Sequence, residues 1–315
     1  MVQLVSPMES LAGSVEQAAH ELGQLVSADT IIRCNEPLAR RTTLRVGGPA
    51  DLYVEPASEP DLAAVLAFCV EHKLAFFVLG RGSNLLVKDG GFRGVSICLS
   101  QPYFARVKAT GDRLECGAGA RLKLVAVEAK RNNIAGFEFL EGIPGSVGGA
   151  LRMNAGAMGG ATFDLVEYVR LMDFAGHVQD KPARELPVEY RSCQALKMSI
   201  AVSAVFRGRP GARETIEYRM NEFSRKRWQT QPAAPSAGCM FKNPPTIPAG
   251  KLIDELGLKG TRVGGAVVSS EHGNFIINEG GATARDFLEL IGLLKRRARD
   301  ERGIELQTEV EIIGE

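Results

Sequence analysis

No apolar run in this 315-residue chain approaches the ~20 residues that a membrane-spanning helix needs, so no membrane association is expected. Residues Met1 to Ser10 contain no basic stretch followed by an apolar core, which argues against a secretory signal. An excess of charge is missing too. Lys and Arg number 38 against 37 Asp and Glu, a formal +1 that makes no electrostatic case for nucleic acid as a partner. The six cysteines (Cys34, Cys69, Cys98, Cys116, Cys193 and Cys239) are scattered without a C-x-x-C pair. That spacing argues against zinc or a disulfide framework and for a reducing cytoplasm, and no metal is expected. Two familiar nucleotide signatures are absent as well. There is no G-x-x-x-x-G-K-[ST], and neither GRGSNL from Gly80 nor GAGARL from Gly117 completes a G-x-G-x-x-G. A P-loop NTPase and a Rossmann dehydrogenase are therefore disfavoured.

Glycine is what the chain does have. Seven fall between Gly142 and Gly160, a density that no helix or regular strand tolerates, since each interior glycine costs roughly 0.5–1 kcal/mol relative to alanine. Such backbone can approach a ligand closely and present its N–H groups to an anion, most often phosphate. Tight turns packed under a sheet would account for one such run equally well. A second loop, Gly80 to Val87 (GRGSNLLV), follows the apolar run Ala75 to Leu79. Two strand-to-glycine turns in one chain suggest an extended ligand with a diphosphate, held from two sides.

At this length two or three domains are expected. Residues 1–35 read as a short helical lead-in of unknown role. Residues 36–210 read as one α+β domain of two lobes built around the glycine loops. It begins with a strand-like stretch, Leu44 to Val54, and a helix capped by Ser58 with Asp61 three residues on as in a capping box. The stretch Arg207 to Ala212 is a plausible boundary. Residues 211–315 then form a second domain, with a helix from Glu214 to Trp228 stopped by Pro232. A capping box at Thr283 and Asp286 starts another helix, which Gly303 ends. The alternation of Ile304, Leu306, Thr308, Val310 and Ile312 with Glu305, Gln307, Glu309 and Glu311 predicts a closing strand.

Eight segments, in order along the chain from about residue 40, resemble UDP-N-acetylenolpyruvoylglucosamine reductases. They are Thr43–Gly48, Gly80–Val87, Gly136–Gly149 (GFEFLEGIPGSVGG), Met153–Ala157, Tyr190–Ser192, Ala237–Pro244 (AGCMFKNP), Ala249–Ile253 and Glu309–Gly314. The compact C-terminal part is similar to the shorter of the family's two types. The resemblance implies a flavoenzyme of bacterial cell-wall synthesis, with an FAD-binding α+β domain of the vanillyl-alcohol-oxidase type and a smaller α+β substrate domain. NADPH would reduce the flavin and NADP⁺ would leave. The enolpyruvyl ether of a UDP-sugar would then bind, taking hydride from flavin N5 at C3 and a proton at C2. A monomer is expected.

Carried onto this chain, the resemblance implies FAD contacts from Gly80, Arg81, Gly82, Ser83, Asn84 and Leu85, and from Gly142, Ile143, Pro144, Gly145, Ser146, Gly148 and Gly149. Asn154, Ala155 and Gly156 complete the set. Neither loop contains His or Cys, so the flavin is expected without a covalent bond. The substrate would meet Tyr190, Arg225, Lys242 and Asn243. Arg225, Lys226 and Arg227 read by default as the solvated side of a helix, and the family places substrate-phosphate contacts nearby. Hydride addition to this enol ether builds negative charge at C2 and on the carboxylate, which a cation and a hydrogen-bond donor stabilise. Arg191 is the candidate cation by family position, since an isolated Tyr-Arg is by default a strand-edge pair. Glu309, which by pattern alone is a solvated glutamate, joins it as catalytic. Most of the family carries serine where this chain has Cys239, which makes the thiol the candidate acid for C2. A buried structural cysteine is the plainer alternative. His272 reads as part of a turn between strands. A flavin oxidase or dehydrogenase of a hydroxy acid, and a nucleotide-sugar-binding protein without catalysis, are the rival functions.

Overall fold

The computed structural model describes residues 14–315; of the lead-in expected over 1–35, the first thirteen residues lie outside it. The chain divides into two compact units. Among the described residues one comprises 14–34, Asp51–Arg81 and Gly94–Lys226, the other Asn35–Ala50, Gly82–Arg93 and Arg227–Glu315. Neither unit is contiguous, so the division differs from one drawn at residues 35 and 210. The physical reason for the exchange of segments is β pairing over long sequence separation. Leu85–Val87 runs parallel to Glu311–Ile313, with Leu86 opposite Ile312, which ties the early segment to the C-terminal unit.

Two larger sheets, each with its own helices, build the first unit. The lead-in forms a helix, Val15–Leu25, capped by Ser14. A four-stranded sheet follows the order Ile31–Pro37, Pro49–Glu55, Phe92–Cys98, Phe76–Leu79, with Phe76–Leu79 parallel to Phe92–Cys98. Helix Glu59–Glu71 buries Leu62, Val65, Leu66, Phe68 and Cys69 in the core that also takes Leu22. The second sheet is antiparallel, in the order Val178–Pro182, Val166–Asp173, Ser199–Arg207, Arg113–Gly117, Val107–Thr110. Helices Leu122–Arg131 and Val147–Arg152 bury Val125, Ala129, Val147 and Leu151 in the same core.

Asp61 does more than the capping box requires. Its N–H donates to Ser58 Oγ at 3.3 Å, while its nearly buried carboxylate accepts from Ser27 N at 2.7 Å, Ser27 Oγ at 2.9 Å and Ser58 Oγ at 2.7 Å. Burial alone would raise this carboxyl; the donors from Ser27, Ser58 and Thr30 outweigh it and hold the group below the usual aspartate range. A depressed acid contributes stability above its unfolded pKa of about 3.9 and loses it as pH falls through the folded value. Asp61→Asn should therefore cost about 1–3 kcal/mol at pH 7. Urea titrations should show the gap between variant and wild type closing as pH falls from about 5 toward 3. A gap independent of pH would mean that shape, not charge, sets the cost.

The second unit packs helices Ala249–Glu255 and Ala284–Arg302 with an antiparallel sheet in the order Ser236–Cys239, Phe275–Asn278, Ala266–Val268, Arg262–Val263. Its core joins Leu252, Ile253, Phe287, Leu290 and Leu294 to Leu44, Val46 and Leu86 from the early segments. The capping box at Thr283 and Asp286 is present, and Gly303 ends the helix at φ +65°.

Two expected strands are shorter than predicted. The strand foreseen over 44–54 begins only at Pro49, because Arg45 and Gly47 take left-handed φ values of +59° and +114°. At Gly47 a Cβ would lie 2.5 Å from Val87 Cβ. The closing strand is confined to Glu311–Ile313. Leu306 and Val310 are buried as the alternation requires, but the parity then flips, leaving Ile312 exposed and Ile313 buried. The stretch before it instead gives its backbone to neighbours: Gln307 O accepts from Lys242 N, and Glu309 N donates to Met240 O.

Candidate functional site

In the first unit, a cavity of about 430 Å³ lies where the strand Phe76–Leu79 runs out into Gly80 and Arg81. That volume is within the roughly 300–1,000 Å³ of cofactor and small-molecule sites. Ser146, Gly148 and Gly149 face it, with Gly119, Leu99 and Ile200. Apolar surface is left open here: Val78 is 40% and Leu124 53% exposed, and both line the cavity. The glycines let the walls pack closely, since a Cβ on Gly80 would lie 2.8 Å from Ser146 Oγ and one on Gly148 3.2 Å from Ala118 Cβ. Four cations, Arg81, Arg121, Arg152 and Lys197, line it without a single carboxylate. An apolar wall beside concentrated positive charge suits a ligand with an aromatic ring and a diphosphate, so the residues present fit FAD.

Of the expected cofactor contacts, Gly80, Arg81, Ser146, Gly148 and Gly149 reach this cavity. Gly142, Ile143, Pro144 and Gly145 do not line it; Gly145 O instead accepts from Leu122 N. Asn154 holds φ +38°, accepts from Phe163 N at 3.2 Å and donates to Glu189 O at 3.5 Å. Ala155 O accepts from Thr162 Oγ1, and Gly156 pairs with Ala161 in a short ladder. Arg121, Arg152, Lys197 and Cys98, none of them expected from the sequence, also line the cavity. Isolated cations and a strand-end thiol leave no periodic or motif signal.

The second glycine loop is divided. Gly80 and Arg81 belong to the first unit, while Gly82, Ser83, Asn84 and Leu85 belong to the second. There Thr43 Oγ1 donates to Gly82 O at 3.2 Å and Ser236 O at 2.6 Å. Asn84 Nδ2 donates to Glu309 O at 3.2 Å, and Asn84 O accepts from Glu311 N. Cys239 is half-buried, at the end of strand Ser236–Cys239 and just after Gly238 at φ +74°. The turn that follows is clamped by buried Asn274. Its Oδ1 accepts from Phe241 N at 2.9 Å, its Nδ2 donates to Phe241 O at 2.8 Å, and its own carbonyl accepts from Met240 N at 2.7 Å. Because Met240 O in turn accepts from Glu309 N, the structure brings Cys239, Glu309 and the Ser83–Asn84 turn into one neighbourhood of this unit. Glu309 is half-buried rather than on an open polar face. Lys242 and Asn243 are exposed, and Asn243 Oδ1 accepts from Ala249 N at the start of the next helix.

Arg191 sits in the first unit in the turn between Val188–Glu189 and Ser192–Cys193. It is half-buried at φ +57°, a left-handed conformation uncommon for a side chain of this size. Its guanidinium carbon lies 5.1 Å from the centroid of the exposed Tyr190 ring. Arg225 is exposed on helix Arg213–Thr230, whereas Arg227 is half-buried, and burial lowers its pKa. His272 is kept neutral-leaning by burial, and its Nδ1 accepts from Asn274 N at 3.1 Å within a turn. Among the described residues no cluster of three His, Cys, Asp or Glu is placed to hold a metal. Nor is any helix among them long and apolar enough to cross a membrane.

Residues 50–180 match the model of an FAD binding domain, and 231–313 match the C-terminal domain of UDP-N-acetylenolpyruvoylglucosamine reductase. The reductase of that name from Clostridium novyi is 40% identical over 286 residues, which cover 90% of this chain and 92% of the relative. The crystal structure of the corresponding reductase from Thermus caldophilus is 38% identical. It superposes with a TM-score of 0.78 over 90% of this chain and 99% of its own. Substrate-bound p-cresol methylhydroxylase, 13% identical with a TM-score of 0.50, covers 65% of this chain and 45% of its own, a likeness of fold alone. The cofactor-binding part thus has the vanillyl-alcohol-oxidase-type α+β fold, joined to a smaller α+β domain.

Proposed function

The chain belongs to the UDP-N-acetylenolpyruvoylglucosamine reductase family, FAD-dependent oxidoreductases of peptidoglycan precursor synthesis, and from that membership we propose its reaction in detail. It reduces the enolpyruvyl ether of UDP-N-acetylglucosamine to UDP-N-acetylmuramate in the cytoplasm, with NADPH as co-substrate. The observation that carries this reading is identity of 40% over nine-tenths of both chains. Gly80, Arg81, Ser146, Gly148 and Gly149 of the first-unit cavity would hold FAD without a covalent bond, and the flavin, with NADPH as its reductant, would supply hydride for C3.

The chain's own groups manage charge and the proton. Arg191 places a permanent cation against the substrate carboxylate, where negative charge grows in the transition state. Glu309 is assigned to the same half-reaction by its family position. Cys239 Sγ holds the proton that passes to C2. Tyr190, Arg225, Lys242 and Asn243 are assigned to the nucleotide-sugar.

Arg191→Ala and Glu309→Gln should leave flavin reduction by NADPH nearly intact and slow reoxidation by the enolpyruvyl substrate by ~10²–10³. Stopped-flow absorbance separates the two half-reactions, and an equal loss in both would assign these residues to flavin binding or folding instead. Heat denaturation of the same preparations should release all the flavin, as FAD, into the supernatant. Flavin retained on the precipitated chain would point to the Cys98 thiol that lines the cavity.

A further inference from the structure

We infer that His272 is a positioning residue for the substrate half-reaction: its unprotonated Nδ1 anchors Asn274, and through Asn274 it fixes the turn that carries Cys239 and is bonded to Glu309. The inference rests on the reading of Cys239 and Glu309 as groups of that half-reaction, and all of these residues belong to the second unit.

Each link is a hydrogen bond. Asn274 N donates to His272 Nδ1 at 3.1 Å. Asn274 is only 2% exposed; its side chain holds both the N–H and the carbonyl of Phe241, and its own carbonyl accepts from Met240 N. Met240 O then accepts from Glu309 N at 2.9 Å. A backbone N–H can only donate, so the first link exists only while Nδ1 has no proton. Protonation would set one N–H against another and leave a buried amide donor unpaired, which is the costly state for such a group. The ring has little room to turn away. A Cβ on Gly250 would lie 3.0 Å from His272 Cε1 and 3.3 Å from Nδ1, and the Phe275 ring meets the imidazole edge-on with centroids 4.9 Å apart.

The surroundings keep the ring neutral near pH 7. The charged groups on the elements around it are Lys251, Asp254 and Glu255 of helix Ala249–Glu255, Lys259 beyond that helix, and Glu271 on the turn itself. Their carboxylates are engaged elsewhere. Asp254 accepts from Lys259 Nζ at 2.9 Å, Glu255 lies 3.8 Å from Lys251 Nζ, and Glu271 accepts from Ser269 Oγ at 2.6 Å. Burial lowers the His272 pKa below its usual value, and the Lys259 ammonium lowers it further. The ring's own carbonyl pulls the other way, but it is already occupied by Phe275 N at 2.9 Å. The anchor is therefore complete at neutral pH and is lost as pH falls through a value below about 6.5.

The test is stopped-flow measurement of both half-reactions of the holoenzyme between about pH 4.5 and 8, a range that spans the reference histidine pKa. Wild-type reoxidation by the enolpyruvyl substrate should fall several-fold on the acid side, with flavin reduction by NADPH comparatively flat. His272→Asn keeps an acceptor at the δ position that does not titrate in this range. It should stay within a few-fold of wild type at pH 7 and lose that acid-side fall. His272→Leu removes the acceptor and should slow reoxidation by about tenfold or more at every pH, again sparing flavin reduction. The inference is overturned if His272→Asn retains the acid-side fall, if His272→Leu reoxidises at the wild-type rate, or if either substitution slows both half-reactions equally. Cys239→Ala tests the underlying reading separately. Fast substrate reduction by that variant would dismiss the thiol as the acid, while loss of the acid-side fall in His272→Asn would still assign the anchor to His272.

Discussion

Replacing Cys239 by alanine should slow reduction of the enolpyruvyl substrate by about 10²–10⁴, the usual contribution of a positioned general acid, while NADPH still reduces the flavin at close to the wild-type rate. The thiol has the attributes the role requires. It is half-buried, and it is held next to a turn that Asn274 fixes through three hydrogen bonds. Its neighbour Met240 is bonded to the backbone of Glu309. A reference thiol pKa of about 8.5 lies far below that of an alcohol, so proton donation needs no elaborate relay. The active form is the neutral thiol, because the proton must be present when the step begins. The substrate half-reaction should therefore decline on the alkaline side, around the thiol's pKa, with flavin reduction comparatively flat. Cys239→Ser should keep substantial activity and lose that decline, since serine stays protonated across the accessible range. Iodoacetamide should inactivate the wild type, with protection by substrate, and spare the serine variant. Near-wild-type substrate reduction by Cys239→Ala would make the cysteine structural and place the acid elsewhere.

Gly119→Ala should be the most destabilising single methyl in the first unit. A Cβ at this position would lie 1.6 Å from Leu99 O and 3.2 Å from Phe104 O, and Gly119 N already donates to Phe104 O at 2.8 Å. Backbone, not a flexible side-chain tip, blocks the space. Ordinary overpacking costs ~1–3 kcal/mol, and here the whole 117–120 turn must move, so a loss above that range is expected. That turn also receives the N–H groups of Val147 and Gly148, so displacement would open the cavity and release flavin. Gly23→Ala is the contrast, with only Ile32 Cδ1 nearby at 3.9 Å inside helix Val15–Leu25. It should change stability by less than about 1 kcal/mol, in the stabilising direction. Thermal unfolding and flavin content of the two variants decide the matter. A Gly119→Ala protein as stable and as yellow as wild type would show that the 99–104 backbone yields easily.

Local chemistry was legible in the chain before any coordinates. The capping box at Thr283 and Asp286, the left-handed Gly303 and the apolar stripe of Glu59–Glu71 all depend on neighbours within one or two turns. The family motifs were legible for the same reason, since a contiguous loop keeps its residues in sequence order. What the chain alone could not decide is every feature made by pairing across long separations. The closing segment breaks its alternation after Val310 because its partners, Leu85–Val87 and Met240, are set by tertiary packing. The loop from Gly80 to Leu85 reads as one phosphate cradle, yet its two halves fall in different compact units, since Thr43 claims Gly82 through both its N–H and its hydroxyl while the first sheet claims Leu79. Glycine content marks where backbone comes close to something. Whether that something is a ligand or, as at Gly148 and Gly119, another stretch of backbone is decided by which carbonyl stands opposite each N–H, and only the folded chain determines that.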